Sequence, residues 1–128
     1  MHKCVVIADD LTGGNATGVM ISGYGYDTYS IVNMEGLDPN NMPECDCIVY
    51  PTNSRQVSAD TAYKLVYNAT KFFMNDDIKV YSKRIDTTLR GNLGSETDAM
   101  LDALDNDAIA MVVPCFPQAE RVIIGGYV

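Results

Sequence analysis

The sequence predicts an α/β fold in which an open, mainly parallel Rossmann-like sheet carries helices on both faces. Two observations predict it: runs rich in β-branched residues alternate with segments of helical periodicity, and polar loops follow the runs. The first run, KCVVIA at 3–8, contains the unbroken apolar stretch typical of a parallel strand buried on both faces. With 128 residues, 47% of them apolar, the chain has the size and composition of one globular domain.

The elements of the first half are separated by turn-forming residues. A helix is predicted to begin near Asn15, behind the segment DDLTGG. The second strand is predicted at 26–32. Asn, Gly, Pro and acidic residues make 33–45 a loop, and the third strand follows at 46–52, where a proline ends it.

The clearest helix is predicted at 58–75. Ser58 is a suitable N-cap, and apolar residues recur at spacings of three and four to give one stripe. That stripe consists of Ala62, Leu65, Val66, Ala69 and Phe72. The remaining predicted elements are a strand at 77–83, a helix at 92–105, a strand at 108–114 and the start of a sixth strand at 120–128.

The charge balance narrows the range of partners. With 17 acidic and 9 basic residues the net charge is -8, which repels phosphate and argues against a nucleic-acid partner. No apolar run approaches the roughly 20 residues that cross a bilayer, and the start of the chain carries no secretory signal, so we expect a cytoplasmic protein with no membrane partner. Four acids on the outer face of the 92–105 helix are expected to be solvated: Glu96, Asp98, Asp102 and Asp105.

The residues that commonly bind metals do not form a recognisable set. The four cysteines, at 4, 45, 47 and 115, have the spacing of neither a zinc knuckle nor a disulfide framework. We therefore expect them to be reduced. His2 is the single histidine and lies at the terminus, so the sequence predicts no metal site and no histidine base in the core.

Basic side chains gather where the predicted strands end, which is where open α/β sheets bind ligands. Guanidinium groups bind carboxylate or phosphate through two parallel hydrogen bonds, so this placement in an acidic chain indicates a small anionic ligand. The alternative is that arginines are common in loops for other reasons. Four arginines follow predicted strands: Arg55, Arg84, Arg90 and Arg121.

The loop after the first strand adds a second anion signal and raises a rival fold assignment. Thr12, Gly13 and Gly14 open a helix whose free N–H groups favour an anion, although neither a dinucleotide fingerprint nor a P-loop is present. Adjacent acids at the end of the first strand, like Asp9 and Asp10, are also found in receiver domains, where they bind magnesium. A receiver needs an aspartate after its third strand and a lysine after its fifth, and neither is present here. The pair could also be structural, with one acid capping the helix and the other solvated.

Four stretches at these strand ends carry a family resemblance. They are IADDLTGGNATG at 7–18, TNSR at 52–55, YSKRIDTTLRGNLGSE at 81–96, and VPCFPQAER with GGY between 113 and 127. In them the chain resembles the four-carbon acid sugar kinase family. The resemblance implies that 1–128 is a partial N-terminal domain that binds the acid sugar, and that the separate C-terminal ATP-binding domain is absent from this chain. Glu120 and Cys115 depart from the family pattern, and the acid beside Arg121 weakens a ligand role for that arginine.

The resemblance implies a kinase that phosphorylates a small acid such as threonate, erythronate or 3-oxo-tetronate. In the full-length enzyme ATP and Mg²⁺ would be the cofactors, with none bound by this chain alone, and the C-terminal kinase domain or a second copy would be the partner. Asp9 or Asp10 would accept the proton of the substrate hydroxyl, with Asp10 preferred. Arg55 or Arg90 would bind the carboxylate. The residues expected to contact substrate are Ser54, Arg55, Lys83, Arg84, Asp86, Arg90, Gly91 and Asn92.

Within that set two roles stay open. Asp86 either binds a substrate hydroxyl or orients an arginine, and the orienting role is preferred. Lys83 and Arg84 would add positive potential. Two other functions also remain: a stand-alone anion-binding module or inactive remnant without catalysis, and a redox or nucleotide-binding α/β protein, which the missing glycine fingerprint disfavours.

Overall fold

Four strands form one sheet in the computed structural model, which describes residues 3–104 and 107–127. The strands are β1 (Cys4–Ala8), β2 (Thr28–Ser30), β3 (Cys47–Pro51) and β4 (Val80–Arg84). Their order is β2-β3-β1-β4, and each neighbouring pair is parallel. The predicted parallel α/β architecture is confirmed, with β1 in the interior of the sheet.

Three helices follow strands: α1 (Leu11–Gly23) follows β1, α2 (Ala59–Phe73) follows β3, and α3 (Leu93–Leu104) follows β4. Single 3₁₀ turns lie at Pro39–Asn41 and Pro117–Ala119. The prediction that α1 begins near Asn15 is wrong by four residues. The helix starts earlier because the Asp10 side chain accepts a hydrogen bond from the Gly13 N–H at 2.9 Å and so caps it. Ser58 caps α2 as predicted, accepting from the Thr61 N–H.

Helices cover both faces of the sheet, as predicted. On one face, Val5, Ile7 and Ile48 of the strands pack with Val66 of α2 and Met100 of α3 in the larger core. On the other face, a smaller cluster packs against Ile21 of α1. That cluster is formed by Val6, Cys47 and Val49. The alternation of side chains along β1 thus divides the core into two layers.

The stripe predicted for α2 is shifted at two positions. Phe73 is buried, whereas Leu65 is 38% exposed. On α3, Asp98 and Asp102 are solvated as expected. Asp105 and His2 lie outside the described residues. None of the helices within residues 3–104 and 107–127 combines the length and apolar character that crossing a membrane requires.

The strands predicted at 108–114 and 120–128 are not formed within the described residues 107–127. Ile109 and Met111 are 93% and 89% exposed, and the segment has no ladder partner within the described residues. Single bridges join Phe116 to Arg121 and Ile124 to Tyr127 in place of a sixth strand. Apolar composition alone predicted these strands, but a strand also needs a partner for its backbone. β4 therefore stays at the sheet edge, beside a cavity of about 640 Å³.

Candidate functional site

The loops after β1 and β3 leave the sheet toward opposite faces, since α1 covers one face and α2 the other. β1 and β3 are neighbours, so their carboxyl ends border a crevice, the usual ligand position in open α/β sheets. Asp9 and Asp10 follow β1 on one side of it, and Arg55 follows β3 on the other. The sheet thus brings Arg55 beside two predicted site residues that precede it by 46 and 45 positions in the chain.

Arg55 spans this crevice. Its Nε donates to Asp9 Oδ2 at 2.7 Å and its Nη2 to Asp9 Oδ1 at 3.0 Å, while Nη1 donates to Asp10 Oδ2 at 3.1 Å. The Asp9 side chain is 3% exposed and that of Asp10 is 29% exposed. Hydrogen bonding to Asp9 raises the pKa of Arg55. Asp9 is therefore enclosed by the arginine, and Asp10 keeps an accessible carboxylate.

Asp86 holds a second arginine in the loop after β4. Arg90 Nε donates to Asp86 Oδ2 at 2.8 Å, and Nη2 donates to Oδ1 at 2.9 Å. The Thr88 hydroxyl and N–H also donate to Asp86, and Arg55 Nη2 lies 3.9 Å from it. The hydrogen bonds from Arg90, together with those from Thr88, hold the pKa of the buried Asp86 carboxyl well below its usual range. Asp86 thus orients Arg90 in the structure and joins it to the Arg55 cluster.

Gly91 allows these two loops to approach each other. Its φ is +100°, a value that favours glycine. A Cβ there would lie 3.2 Å from Arg55 Cγ and 3.6 Å from Asp9 Oδ2. We call the set Asp9, Asp10, Arg55, Asp86 and Arg90, with Gly91 packed against it, the edge cluster.

Arg84 lies beside the edge cluster, and its guanidinium packs against the first turn of α1. It is the last residue of β4 rather than a loop residue as predicted. A Cβ on Gly13 would be 2.7 Å from Arg84 Cζ. The guanidinium therefore occupies space that the side chain of any residue larger than glycine at position 13 would need. Gly13 and Gly14 are buried, whereas Thr12 is exposed. A guanidinium therefore lies beside the N-terminus of α1, where the helix dipole is positive.

Ser54 and Asn92 fasten the loops together. Ser54 is fully buried, with its Oγ 2.7 Å from Thr52 Oγ1. Asn92 Nδ2 donates to the carbonyl oxygens of Ser54 and Val57 at 3.0 and 2.9 Å. Both side chains thus have partners within the protein, and a substrate contact for either of them stays a prediction.

Lys83 does not join the edge cluster. Its Nζ lies 2.6 Å from Glu96 Oε2, and the two side chains are 9% and 1% exposed. The expectation that Glu96 belongs to a solvated face is therefore wrong, because Glu96 turns inward to meet a lysine from β4. The available signal was its place in the 81–96 stretch that carries the resemblance.

Thr87 follows β4 but is not among the site residues predicted from the sequence. It is buried, and its Oγ1 accepts a hydrogen bond from Arg121 Nη1 at 3.0 Å. This bond ties the C-terminal segment to the loop after β4. As with Glu96, the signal was membership of the 81–96 stretch.

The edge-cluster carboxylates are matched to arginines rather than grouped for a cation. Within residues 3–104 and 107–127, no three His, Cys, Asp or Glu side chains are placed to hold a metal ion. Asp9 and Asp10 both bind Arg55, and Asp86 binds Arg90. Guanidinium groups at a crevice can bind a small anion. A carboxylate beside them can accept the proton of a hydroxyl group that the anion carries.

Comparison with known proteins agrees with the family resemblance. The sequence matches the family model described as "Sugar-binding N-terminal domain" over residues 4–128. The chain belongs to this family. Among relatives of this sugar-binding domain, D-erythronate kinase from Heliobacterium modesticaldum is 44% identical over 127 residues, covering 99% of this chain and 29% of the relative. D-Threonate kinase from Salmonella typhimurium is 34% identical, covering 97% and 29%.

The match to the sugar-binding domain extends to structure. A crystal structure of a domain of unknown function from Bordetella bronchiseptica, a domain-swapped dimer with bound citrate, superimposes with a TM-score of 0.82 at 31% identity. The superposition covers 91% of this chain and 30% of the Bordetella chain. The chain thus spans about three tenths of the length of the relatives it matches.

Proposed function

We propose that this chain binds the acid sugar in an ATP-dependent kinase that phosphorylates a four-carbon sugar acid. The observation that carries the proposal is the edge cluster, in which three carboxylates and two arginines meet at the carboxyl edge of the sheet. A sugar acid needs both kinds of group: a guanidinium for its carboxylate and oxygen acceptors for its hydroxyls. The kinase names of the relatives support the reaction class.

Arg90 is the residue we assign to the substrate carboxylate. Its side chain is 67% exposed, against 18% for Arg55. Asp86 engages Nε and Nη2 of Arg90, so Nη1 is the nitrogen through which it would bind a ligand. Arg55 is committed to Asp9 and Asp10 and would organise the crevice, while Arg84 would add positive potential beside it. Citrate, bound in the Bordetella structure, is likewise a small carboxylate.

Asp10 is the proposed acceptor of the substrate hydroxyl proton. It begins the loop at the crevice, and its side chain is 29% exposed whereas that of Asp9 is 3% exposed. A base must come within hydrogen-bond reach of the proton it takes. Asp9 would hold Arg55, and through it Asp10, in place. Phosphoryl transfer depends chiefly on such positioning and on charge stabilisation.

ATP and Mg²⁺ would be bound by a part of the kinase outside this domain. The edge-cluster carboxylates are already paired with arginines, so Mg²⁺ would take most of its ligands from phosphates and water. A C-terminal ATP-binding domain is the partner we propose, because relatives such as the Heliobacterium kinase are much longer than this chain. The domain-swapped Bordetella dimers make a second copy the other candidate. Since ATP is the phosphoryl donor, we expect the enzyme to work in the cytoplasm.

A chimera tests the proposal. Residues 2–128 would replace the matching N-terminal part of the Heliobacterium D-erythronate kinase, which is 44% identical to them. We expect ATP-dependent phosphorylation of D-erythronate or another four-carbon aldonate, and loss of turnover with Asp10→Asn. The 128-residue chain alone should show no ATP-dependent turnover. Turnover by the purified chain alone would contradict the assignment of the reaction to two domains.

A stand-alone anion-binding module is the second candidate, favoured by the fact that every member of the edge cluster comes from this chain. Thermal unfolding distinguishes the binding module from the kinase domain. It is measured with increasing concentrations of D-erythronate, D-threonate and the uncharged polyol erythritol. Stabilisation by the aldonates together with an inactive but folded chimera would favour the binding module. Equal stabilisation by erythritol would contradict any role for a carboxylate.

A further inference from the structure

The ion pair between Lys83 and Glu96 is the most deeply buried one in the described part of the chain. Nζ and Oε2 are 2.6 Å apart, and the side chains are 9% and 1% exposed. Glu96 Oε1 is also buried and makes no hydrogen bond to another described residue. The pair joins the end of β4 to the first turn of α3.

Stability alone is a weak reason for such a pair. Desolvation of two charges offsets most of their attraction, and buried pairs can often be replaced by apolar residues of similar volume without loss of stability. The unpartnered Oε1 increases the cost of burial. The other contacts of Lys83 indicate a role for the pair besides stability.

Lys83 reaches the edge cluster through one backbone carbonyl. Its Nζ donates to the Arg84 oxygen at 3.1 Å. The same oxygen accepts the Asp9 N–H at 3.4 Å, at the point where β1 ends and the crevice begins. The Asp9 side chain in turn accepts two hydrogen bonds from Arg55. A continuous chain of contacts thus runs from α3 to the edge cluster.

We propose that Glu96 is a positioning residue, which holds Lys83 against the Arg84 carbonyl and thereby fixes the backbone at Asp9. The long Asp9–Arg84 bond is weak by itself, so the orientation of its acceptor matters. Lys83 acts through this carbonyl, because its ammonium group is engaged by Glu96 and by the Arg84 oxygen. The geometric part stands without the proposed function, and only the effect on ligand binding rests on it.

The test is a double variant, Lys83→Met with Glu96→Leu, in the 128-residue chain. It removes both charges and fills the space with apolar atoms, a replacement that buried ion pairs often tolerate without loss of stability. The matched control, Lys79→Met with Asp98→Leu, likewise replaces one lysine and one acid by apolar residues, at exposed positions near the start of β4 and on α3. Three quantities are measured for each: the melting temperature, the hydrogen-exchange rate of the Asp9 amide by NMR, and the thermal shift with D-erythronate.

We expect the double variant to melt within a few degrees of the parent, while its Asp9 amide exchanges about tenfold faster relative to core amides of α2. The D-erythronate shift should fall by at least about half. The control should change none of the three. Unchanged Asp9 exchange in a folded double variant would overturn the proposal and leave the pair as a packing feature.

Two further outcomes keep the tests separate. If the parent shows no shift with any aldonate, the proposed function fails, and Asp9 exchange still decides the positioning role. If the double variant does not fold, Lys83→Met with Glu96→Gln removes the same donor and preserves the volume at 96. Parent-like Asp9 exchange in that variant would equally overturn the proposal.

Discussion

Arg55 donates hydrogen bonds to both carboxylate oxygens of Asp9, at 2.7 and 3.0 Å, across the crevice between β1 and β3. The two residues are 46 positions apart in the chain. Their contact closes the wall of the crevice and leaves the neighbouring Asp10 more accessible than Asp9. This bidentate pair therefore gives two adjacent aspartates different exposures to solvent.

Arg55→Lys should destabilise the domain. A lysine carries the charge but is a point donor that cannot engage Asp9 and Asp10 in the same fork geometry. Because the arginine is only 18% exposed, the loss should be about 1–3 kcal/mol in the free energy of unfolding. Urea denaturation measures it. The exposed Lys64→Arg is the control, and an Arg55→Lys variant as stable as that control would contradict the prediction.

Arg90→Lys should weaken ligand binding and also lower the stability of the domain. Lysine keeps the charge, but it cannot reproduce the two hydrogen bonds that hold the buried Asp86 carboxylate or present a donor to the ligand where Nη1 stands. We expect about tenfold weaker binding of D-erythronate by calorimetric titration. Lys64→Arg again serves as the control. Parent-like affinity would show that Arg90 is structural and that its assignment to the carboxylate is an error.

Asp86→Asn should reveal a pH-dependent contribution to stability. The hydrogen bonds from Arg90 and Thr88 hold the pKa of Asp86 below its value in the unfolded chain, about 3.9. The stabilisation is thus fully present above about pH 4 and is lost as the pH falls through the lower, folded-state pKa. At pH 7 the variant should be about 1–3 kcal/mol less stable than the parent.

Urea denaturation at pH 7, 5 and 3 checks this dependence. The difference between parent and Asp86→Asn should be the same at pH 7 and 5 and smaller at pH 3. The exposed Asp98→Asn should differ from the parent by less than about 0.5 kcal/mol at pH 7. A difference that disappears between pH 7 and 5 would mean that another group is responsible.

Gly13→Ala should be harmful despite the higher helix propensity of alanine. The new Cβ would lie 2.6 Å from Asp10 Oδ1 and 2.7 Å from Arg84 Cζ, so both the cap and the guanidinium must move. We expect a lower melting temperature and a smaller shift with D-erythronate. Gly23→Ala is the matched control in the same helix, because no atom lies within 4 Å of its Cβ. Because Gly23 is the last residue of the helix, alanine there should change the free energy of unfolding by less than about 0.5 kcal/mol. Equal effects of the two substitutions would contradict the close approach of Arg84.

Local sequence was sufficient where local forces decide the structure. The apolar run of β1 and the stripe of α2 specify elements whose burial depends on periodicity, and Ser58 caps α2 through its own side chain. The position of arginines after strands predicted which edge of the sheet carries charge, because parallel strands share one carboxyl edge. The roles proposed for those residues stay predictions.

Tertiary structure decided what the sequence could not. The strand expected at 108–114 is not formed in the structure, since pairing requires a neighbouring backbone and apolar residues alone do not supply it. Glu96 left its expected solvated face because only the fold brings Lys83 within 2.6 Å of it. Periodicity assigns a residue to a side of a helix, but charge pairing across elements depends on distances that exist only once the strands and helices have packed.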